Sequence, residues 1–98
     1  MSKYRRAAKV DANQAAIVAA LRSIPGVTVV AGHDDILVGH NGSTRWYEVK
    51  SADAVSRKTG KVLESAKQPD QVKLENNWLG HYRIVSGLTD ILEDMGIA

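Results

Sequence analysis

The 98-residue chain contains no cysteine. Disulfide bonds and thiolate zinc sites are therefore excluded. The longest apolar stretches, such as Ala15–Leu21, are far shorter than the roughly 20 residues that a membrane-spanning helix needs. The basic N-terminal residues are not followed by the apolar region of a signal peptide. These absences predict a protein of the reducing cytoplasm that does not act on a membrane.

The charges of the chain are unevenly distributed, although the net charge is only +2. The length predicts a single domain. Clustered basic residues favour a polyanionic partner such as DNA, and contacts of this kind bind phosphates without reading base sequence. The alternative is a solvated surface, and charge alone does not decide between the two. The predicted phosphate contacts are Lys3, Arg5, Arg6 and Lys9 near the N-terminus and Arg57, Lys58, Lys61 and Lys67 in the centre.

The pattern of apolar and turn-forming residues predicts a mixed α/β domain of order αβββαβα, with a central sheet flanked by helices. Residues 1–10 are predicted to be a flexible basic arm, and residues 11–98 the folded domain. Residues 51–68 carry many charges and small polar residues, which favours a mobile loop. The predicted helices are 11–23, 69–80 and 88–95, and the predicted strands are 27–31, 35–39, 44–50 and 82–85.

The dipeptide Asn41-Gly42 is a strong signal for a two-residue hairpin turn between the second and third strands. Pairing outward from this turn places Asp35 opposite Glu48. Because side chains alternate along a strand, Lys50 lies on the same face as Glu48, and Val49 points to the other face. The register therefore predicts a cluster of two carboxylates and one ammonium group.

Facing carboxylates are suitable ligands for a divalent cation, and Mg²⁺ prefers oxygen ligands. Asp35 and Glu48 are the predicted metal ligands, with the backbone carbonyl of Val49 as a third. Such a metal activates water for attack on a phosphate, and Lys50 would position that water or stabilise developing charge. The alternative is that Asp35 is a turn residue and that Glu48 and Lys50 form a surface ion pair. An E-x-K triplet alone is a weak signal, but the strand register favours the metal site.

Several segments resemble one nuclease superfamily. Asp35–Gly39 and Tyr47–Ser51 resemble the D…E-x-K core of the PD-(D/E)xK nucleases. Gln68-Pro69-Asp70-Gln71 is similar to the T-P-x-Q helix start of the VRR-NUC branch, and Val85–Asp90 to its strand-to-last-helix segment. The resemblance covers roughly residues 10–95 and is greatest to the small stand-alone VRR-NUC proteins of bacteriophages.

The resemblance implies a restriction-endonuclease-like fold and a metal-dependent, structure-selective DNA endonuclease. It implies a homodimer acting on branched DNA such as four-way junctions, in the host cytoplasm if the protein is phage-encoded. Mg²⁺ is the implied cofactor, with Mn²⁺ as a substitute. Gln71 is an implied site residue, and the alternative is that it caps its own helix.

Two positions depart from the family pattern. Asp34 stands where the family usually has proline, so either Asp34 or Asp35 can be the ligand, and the register favours Asp35. Gln14 replaces the first-helix glutamate, and it remains a candidate that acts through a metal-bound water. Gln14 also favours a second hypothesis, a catalytically inactive nucleic-acid-binding module on the same fold. A third hypothesis is a protein-interaction domain.

Histidine and tryptophan residues give weaker predictions. His33 lies opposite Lys50 in the predicted register, where it could contact substrate, although an ordinary turn residue is the simpler interpretation. The spacing of His33, His40 and His81 argues against a zinc site. Trp46 and Trp78 are predicted to belong to the core.

Overall fold

A computed structural model describes residues 13–32, 35–51, 54–56, 58–59 and 61–97. The predicted basic arm, His33, Asp34 and Arg57 lie outside these residues. The helices are α1, described over residues 13–22, α2 (Pro69–Asn77) and α3 (Leu88–Met95), and a short 3₁₀ turn covers Glu64–Ala66. The strands are β1 (Val27–Ala31), β2 (Asp35–His40), β3 (Ser43–Val49) and β4 (Arg83–Val85). The predicted order of helices and strands is confirmed.

The four strands form one mixed sheet in the order β1-β2-β3-β4. β2 is antiparallel to both β1 and β3, and β4 is parallel to β3. The segment between β3 and β4 contains α2, as a crossover between parallel strands requires. Because of these directions, the start of β2 and the ends of β1, β3 and β4 meet at one end of the sheet.

The hairpin between β2 and β3 has the predicted turn and register. Asn41 and Gly42 have positive φ angles of 51° and 75°, the combination that a two-residue type I′ turn requires. His40 pairs with Ser43, and Asp35 pairs with Glu48 at the far end of the hairpin. The register derived from Asn41-Gly42 is therefore confirmed.

One face of the sheet carries most of the hydrophobic core. Ile36 and Val38 of β2 are buried, whereas Leu37 between them is 43% exposed. This alternation separates a packed inner face from an outer face that is partly open. The inner face packs against α1 and α3, whose core side chains are Ile17, Val18, Leu21, Ile91 and Met95.

The second helix is shorter than predicted. It begins at Pro69 as expected but ends at Asn77, before Gly80. Trp78 already has extended backbone angles, so helical periodicity no longer applies to it or to Leu79. Trp78 is 51% exposed and Leu79 is fully exposed, so the prediction that Trp78 belongs to the core was wrong.

The segment predicted as a mobile loop, residues 51–68, contains local structure among its described residues. Val55 and Val62 form an antiparallel bridge, and the Leu63 N–H donates to the Ala54 carbonyl at 2.6 Å. The 3₁₀ turn follows directly. This bridge was not predicted because the sequence between Val55 and Val62 lacks the Asn-Gly signal that is present between β2 and β3.

No helix in the described ranges is long and apolar enough to cross a membrane.

Candidate functional site

The candidate site lies at the end of the sheet where β2 begins and β3 ends. Asp35, the first residue of β2, is directly opposite Glu48 on β3. Glu48 is 8% exposed and Asp35 is half-buried. The structure therefore brings the two predicted ligands together on the outer face of the sheet.

The Asp35 carboxylate is held by two neighbouring residues. The indole Nε1–H of Trp46 donates to Asp35 Oδ2 at 2.9 Å. The Gly32 N–H donates to the Asp35 backbone carbonyl at 2.7 Å. A Cβ atom at position 32 would overlap with Asp35 Oδ1, so the glycine leaves room for this carboxylate. These contacts restrict the rotamer of the proposed ligand.

The first described turn of α1 reaches the same end of the sheet. The Gln14 Nε2–H donates to the Gly32 carbonyl at 2.8 Å, and the Asn13 Nδ2–H donates to the Lys50 carbonyl at 3.3 Å. Gln14 is 8% exposed, and its Oε1 has no hydrogen-bond partner among the residues that the structure describes. Gln14 therefore places a buried oxygen acceptor next to Gly32, the residue that contacts Asp35.

Lys50 follows β3 directly and remains attached to the sheet. Its N–H donates to the Val85 carbonyl at 2.7 Å, which continues the pairing with β4 by one residue. Its side chain is half-buried. Because Lys50 is two residues after Glu48, alternation along the strand would place its side chain on the same outer face, and this placement stays a prediction.

Gln71 has the capping role that the sequence offered as its alternative. It is the third residue of α2, and its Oε1 accepts a hydrogen bond from the Gln68 N–H at 2.9 Å. This bond satisfies one of the backbone donors at the helix start. A direct role of Gln71 in the site remains a prediction.

The basic residues predicted to bind phosphate occupy different environments. Lys58 and Lys61 are exposed. In contrast, the Lys67 ammonium bonds to Glu75 at 2.9 Å and to Glu64 at 3.1 Å, and its side chain is only 8% exposed. Burial alone would lower the pKa of Lys67, but Glu75 and Glu64 raise it above its usual value. Lys67 thus joins the 3₁₀ turn to α2, and the structure does not leave its charge open to DNA.

An aromatic cluster borders the carboxylates. The ring of Trp46 lies 4.8 Å from that of Tyr82 and 5.5 Å from that of Trp78, both edge to face. The Tyr82 hydroxyl is buried and has no partner within the described part of the chain. Burial, followed by the charge of Glu48, raises the pKa of Tyr82 well above its usual value. Tyr82 is therefore a neutral residue beside the site.

A second polar cluster joins β3, β4 and α3. Asp94 Oδ2 lies 2.6 Å from both the Tyr47 hydroxyl and His81 Nε2, and its Oδ1 lies 3.3 Å from Arg83 Nε. His81 Nδ1 accepts the backbone N–H of Trp46, which leaves Nε2 as the donor to Asp94. Burial alone would raise the pKa of Asp94, but the bonds from Tyr47, His81 and Arg83 lower it. Tyr47 projects from the opposite face of β3 to Glu48, so this cluster is separate from the carboxylate pair.

Sequence reasoning missed the residues that support the candidate site. The position of Trp46 was available from the register, because it lies two residues before Glu48 on the same face and diagonal to Asp35. The contact of Gly32 with Asp35 had no such signal, because neither residue type specifies it. The bonds of Asn13 and Gln14 depend on how α1 meets the sheet and link residues that are distant in sequence.

The described residues contain two carboxylates at this position and no group of three or more His, Cys, Asp or Glu side chains placed to hold a metal ion. Asp34, the other acidic candidate, lies outside these residues. Comparison of the chain with protein-family models, curated proteins and solved structures finds no match.

Proposed function

We propose that the protein is a Mg²⁺-dependent endonuclease that hydrolyses phosphodiester bonds of branched DNA, such as four-way junctions. The observation that carries the proposal is the direct pairing of Asp35 with Glu48 at the sheet end where Lys50 also lies. The resemblance of these segments to the VRR-NUC branch of the PD-(D/E)xK nucleases supports it. The proposal includes a homodimer, because two sites related by a twofold axis suit a symmetric junction.

The donor atoms at the site fit Mg²⁺. Asp35 and Glu48 supply carboxylate oxygens, the Val49 carbonyl is a further oxygen donor, and Mn²⁺ accepts the same ligand set. The buried Oε1 of Gln14 suits a hydrogen bond from a metal-bound water. When bound, the metal would supply the Lewis acidity that activates water and offsets the charge of the phosphate.

The protein side chains have distinct roles in this proposal. The Lys50 ammonium orients the attacking water and stabilises the charge that develops on the scissile phosphate. The Trp46 N–H and the absence of a side chain at Gly32 keep the Asp35 carboxylate in one orientation, in which it would hold the metal together with Glu48. Trp46 and Gly32 are positioning residues, because they act through the Asp35 carboxylate.

Contacts to the DNA backbone would come from cations outside the carboxylate pair. Lys58 and Lys61 are exposed and suit this role. Lys3, Arg5, Arg6, Lys9 and Arg57 are proposed as further contacts from the sequence. Since such contacts carry no sequence information, the proposed selectivity is for DNA shape.

Cleavage of labelled DNA tests the proposal directly. Linear duplex, single strand, flap and four-way junction are incubated with Mg²⁺, Mn²⁺ or EDTA. We expect cutting of the branched DNAs with either metal and none with EDTA. Lys50→Ala should reduce the rate by about 100-fold or more, because loss of one charge-stabilising group has this scale of effect.

Arg83→Ala is the matched control, because it removes an equal charge from the Asp94 cluster and should leave cutting intact. Unfolding curves for both variants show whether the fold is retained. If no substrate is cut although binding is salt-sensitive, the enzyme proposal is wrong. The protein would then be the inactive nucleic-acid-binding module.

A further inference from the structure

Trp78 is exposed to solvent, yet its position is fixed. It follows α2 and is 51% exposed. Trp46 contacts it edge to face, with ring centroids 5.5 Å apart and planes at 82°. A Cβ atom at Gly80 would lie 2.8 Å from the Trp78 Nε1, so the indole rests where only a glycine leaves room. An aromatic side chain held in this way loses little conformational entropy when a ligand stacks on it.

The exposed indole lies at an open groove that has a mainly apolar surface. This groove of about 520 Å³ runs along α2 and is lined by Asp70, Lys73, Leu74, Asn77 and Trp78. This volume is within the range of small-molecule sites, about 300–1,000 Å³. Lys73 supplies an ammonium group and Asn77 an amide, and both residues are exposed. The indole suits the face of a base, the Asn77 amide suits the base edge, and Lys73 offsets the charge of Asp70 and lies where a phosphate could bind.

The groove is connected to the candidate site through a single side chain. Trp46 contacts Trp78 on one side and donates its N–H to Asp35 on the other. Only the Trp46 indole therefore separates a nucleotide bound at Trp78 from Asp35, the proposed metal ligand. Leu79 is fully exposed next to Trp78, and the exposed surface of the groove is mainly apolar. An apolar surface beside an indole suits the face of a nucleobase, and its position next to Trp46 places that base close to Asp35.

We propose that Trp78 is a stacking subsite for an unpaired nucleobase, so that the preferred substrate presents a single-stranded nucleotide beside the scissile phosphate. This inference rests on the proposed function, because it takes DNA as the substrate. It identifies the feature of branched DNA that is recognised, namely an unstacked base. A base within an intact duplex cannot stack on Trp78 without leaving its helix.

Binding in EDTA tests the inference without cleavage. Affinities are measured for a fully paired duplex, for the same duplex with a single-stranded flap, and for a flap that carries abasic sites. We expect Trp78→Ala to weaken flap binding by roughly 5- to 100-fold, the range for loss of one base–aromatic stack. Trp78→Phe should restore most of the affinity, and binding of the paired duplex and the abasic flap should not change. Leu79→Ala is the matched control and should bind the flap like the natural chain.

Unchanged flap binding in Trp78→Ala would overturn the inference, as would an equal loss for the abasic flap. A change in molecular mass in Trp78→Ala, measured by light scattering, would assign the surface to a second copy of the chain and overturn it as well. Cleavage assays with Mg²⁺ separate this inference from the proposed function. Cutting that does not depend on Trp78 refutes only the subsite, whereas Trp78-dependent binding without cutting refutes only the nuclease.

Discussion

At the scale of single residues, the Asp35 carboxylate of the candidate site depends on uncharged neighbours. Trp46 binds one oxygen of Asp35, and Gly32 leaves space for the other. Gln14 in turn bonds to the Gly32 carbonyl. Supporting groups of this kind usually affect metal affinity by 10- to 100-fold, although they do not contact the metal.

Gly32→Ala tests this support. The added Cβ would displace the Asp35 carboxylate, so we expect Mn²⁺ binding to weaken by about 10- to 100-fold. Calorimetric titration with Mn²⁺ measures the change, and a denaturant unfolding curve shows whether the fold persists. Gly87→Ala is the matched control, since a Cβ there meets nothing within 4 Å. Natural affinity in a folded Gly32→Ala variant would show that Asp35 is not a ligand.

At the scale of secondary-structure elements, polar contacts between side chains join neighbouring segments. α2 has no buried residue. Lys67 links it to the 3₁₀ turn, while Asp94 links the last turn of α3 to β3 and β4. These contacts are expected to contribute to stability rather than to catalysis.

Lys67→Ala should lower the free energy of unfolding by about 1.5–3 kcal/mol, the range for hydrogen bonds to charged groups. Lys73→Ala on the same helix should change it by no more than about 0.5 kcal/mol, because that side chain is exposed. Urea unfolding measures both values. If Lys67→Ala keeps its stability but binds DNA more weakly, Lys67 contacts phosphate, as the sequence predicted.

The Asp94 cluster predicts a pH dependence of stability. Because the folded state lowers the pKa of Asp94, this group stabilises the fold above its unfolded pKa of about 3.9. That contribution is lost as the pH falls through the lower, folded pKa. Urea unfolding between pH 2 and pH 7 should therefore show a smaller acid-induced loss in Asp94→Asn than in the natural chain. Glu93→Gln is the control, because Glu93 is an exposed neighbour of Asp94. An equal dependence of the free energy of unfolding on pH in Asp94→Asn and in the natural chain would contradict the prediction.

At the scale of the whole molecule, the two faces of the sheet have different roles. The inner face packs against α1 and α3. On the outer face, Val30, Leu37 and Trp46 form one cross-strand row beside the carboxylate pair, and Val30 is 68% exposed. The candidate site and the Trp78 groove both adjoin this more open side, where a large substrate has access.

Removal of residues 1–10 tests the contribution of the basic segment to DNA binding. The deletion removes four cations, and the loss of each cation that pairs with a phosphate should reduce the slope of log K against log salt by about 0.9. Binding titrations between 50 and 200 mM salt measure the slope. The control is a chain of natural length in which the same four residues are replaced by Gln. If neither variant changes the slope, the cations that bind phosphate lie outside residues 1–10.

The sequence alone determined the order of elements and the pairing of Asp35 with Glu48. Both follow from local rules, because alternation has a period of two and Asn41-Gly42 specifies the turn that sets the register. The sequence also predicted Pro69 at the start of α2 and Gly96, with its φ of 77°, after α3.

Only the tertiary structure decided what surrounds that pair. The Trp46–Asp35 and Gln14–Gly32 bonds, the burial of Lys67 and the Asp94 cluster join side chains from different elements, whose approach has no periodic signal in the sequence. The exposure of Trp78 depends on where α2 ends, and helix ends are set by competing caps and packing. Local patterns therefore determined which residues face each other within the hairpin, whereas the packing of helices on the sheet decided how those residues are supported.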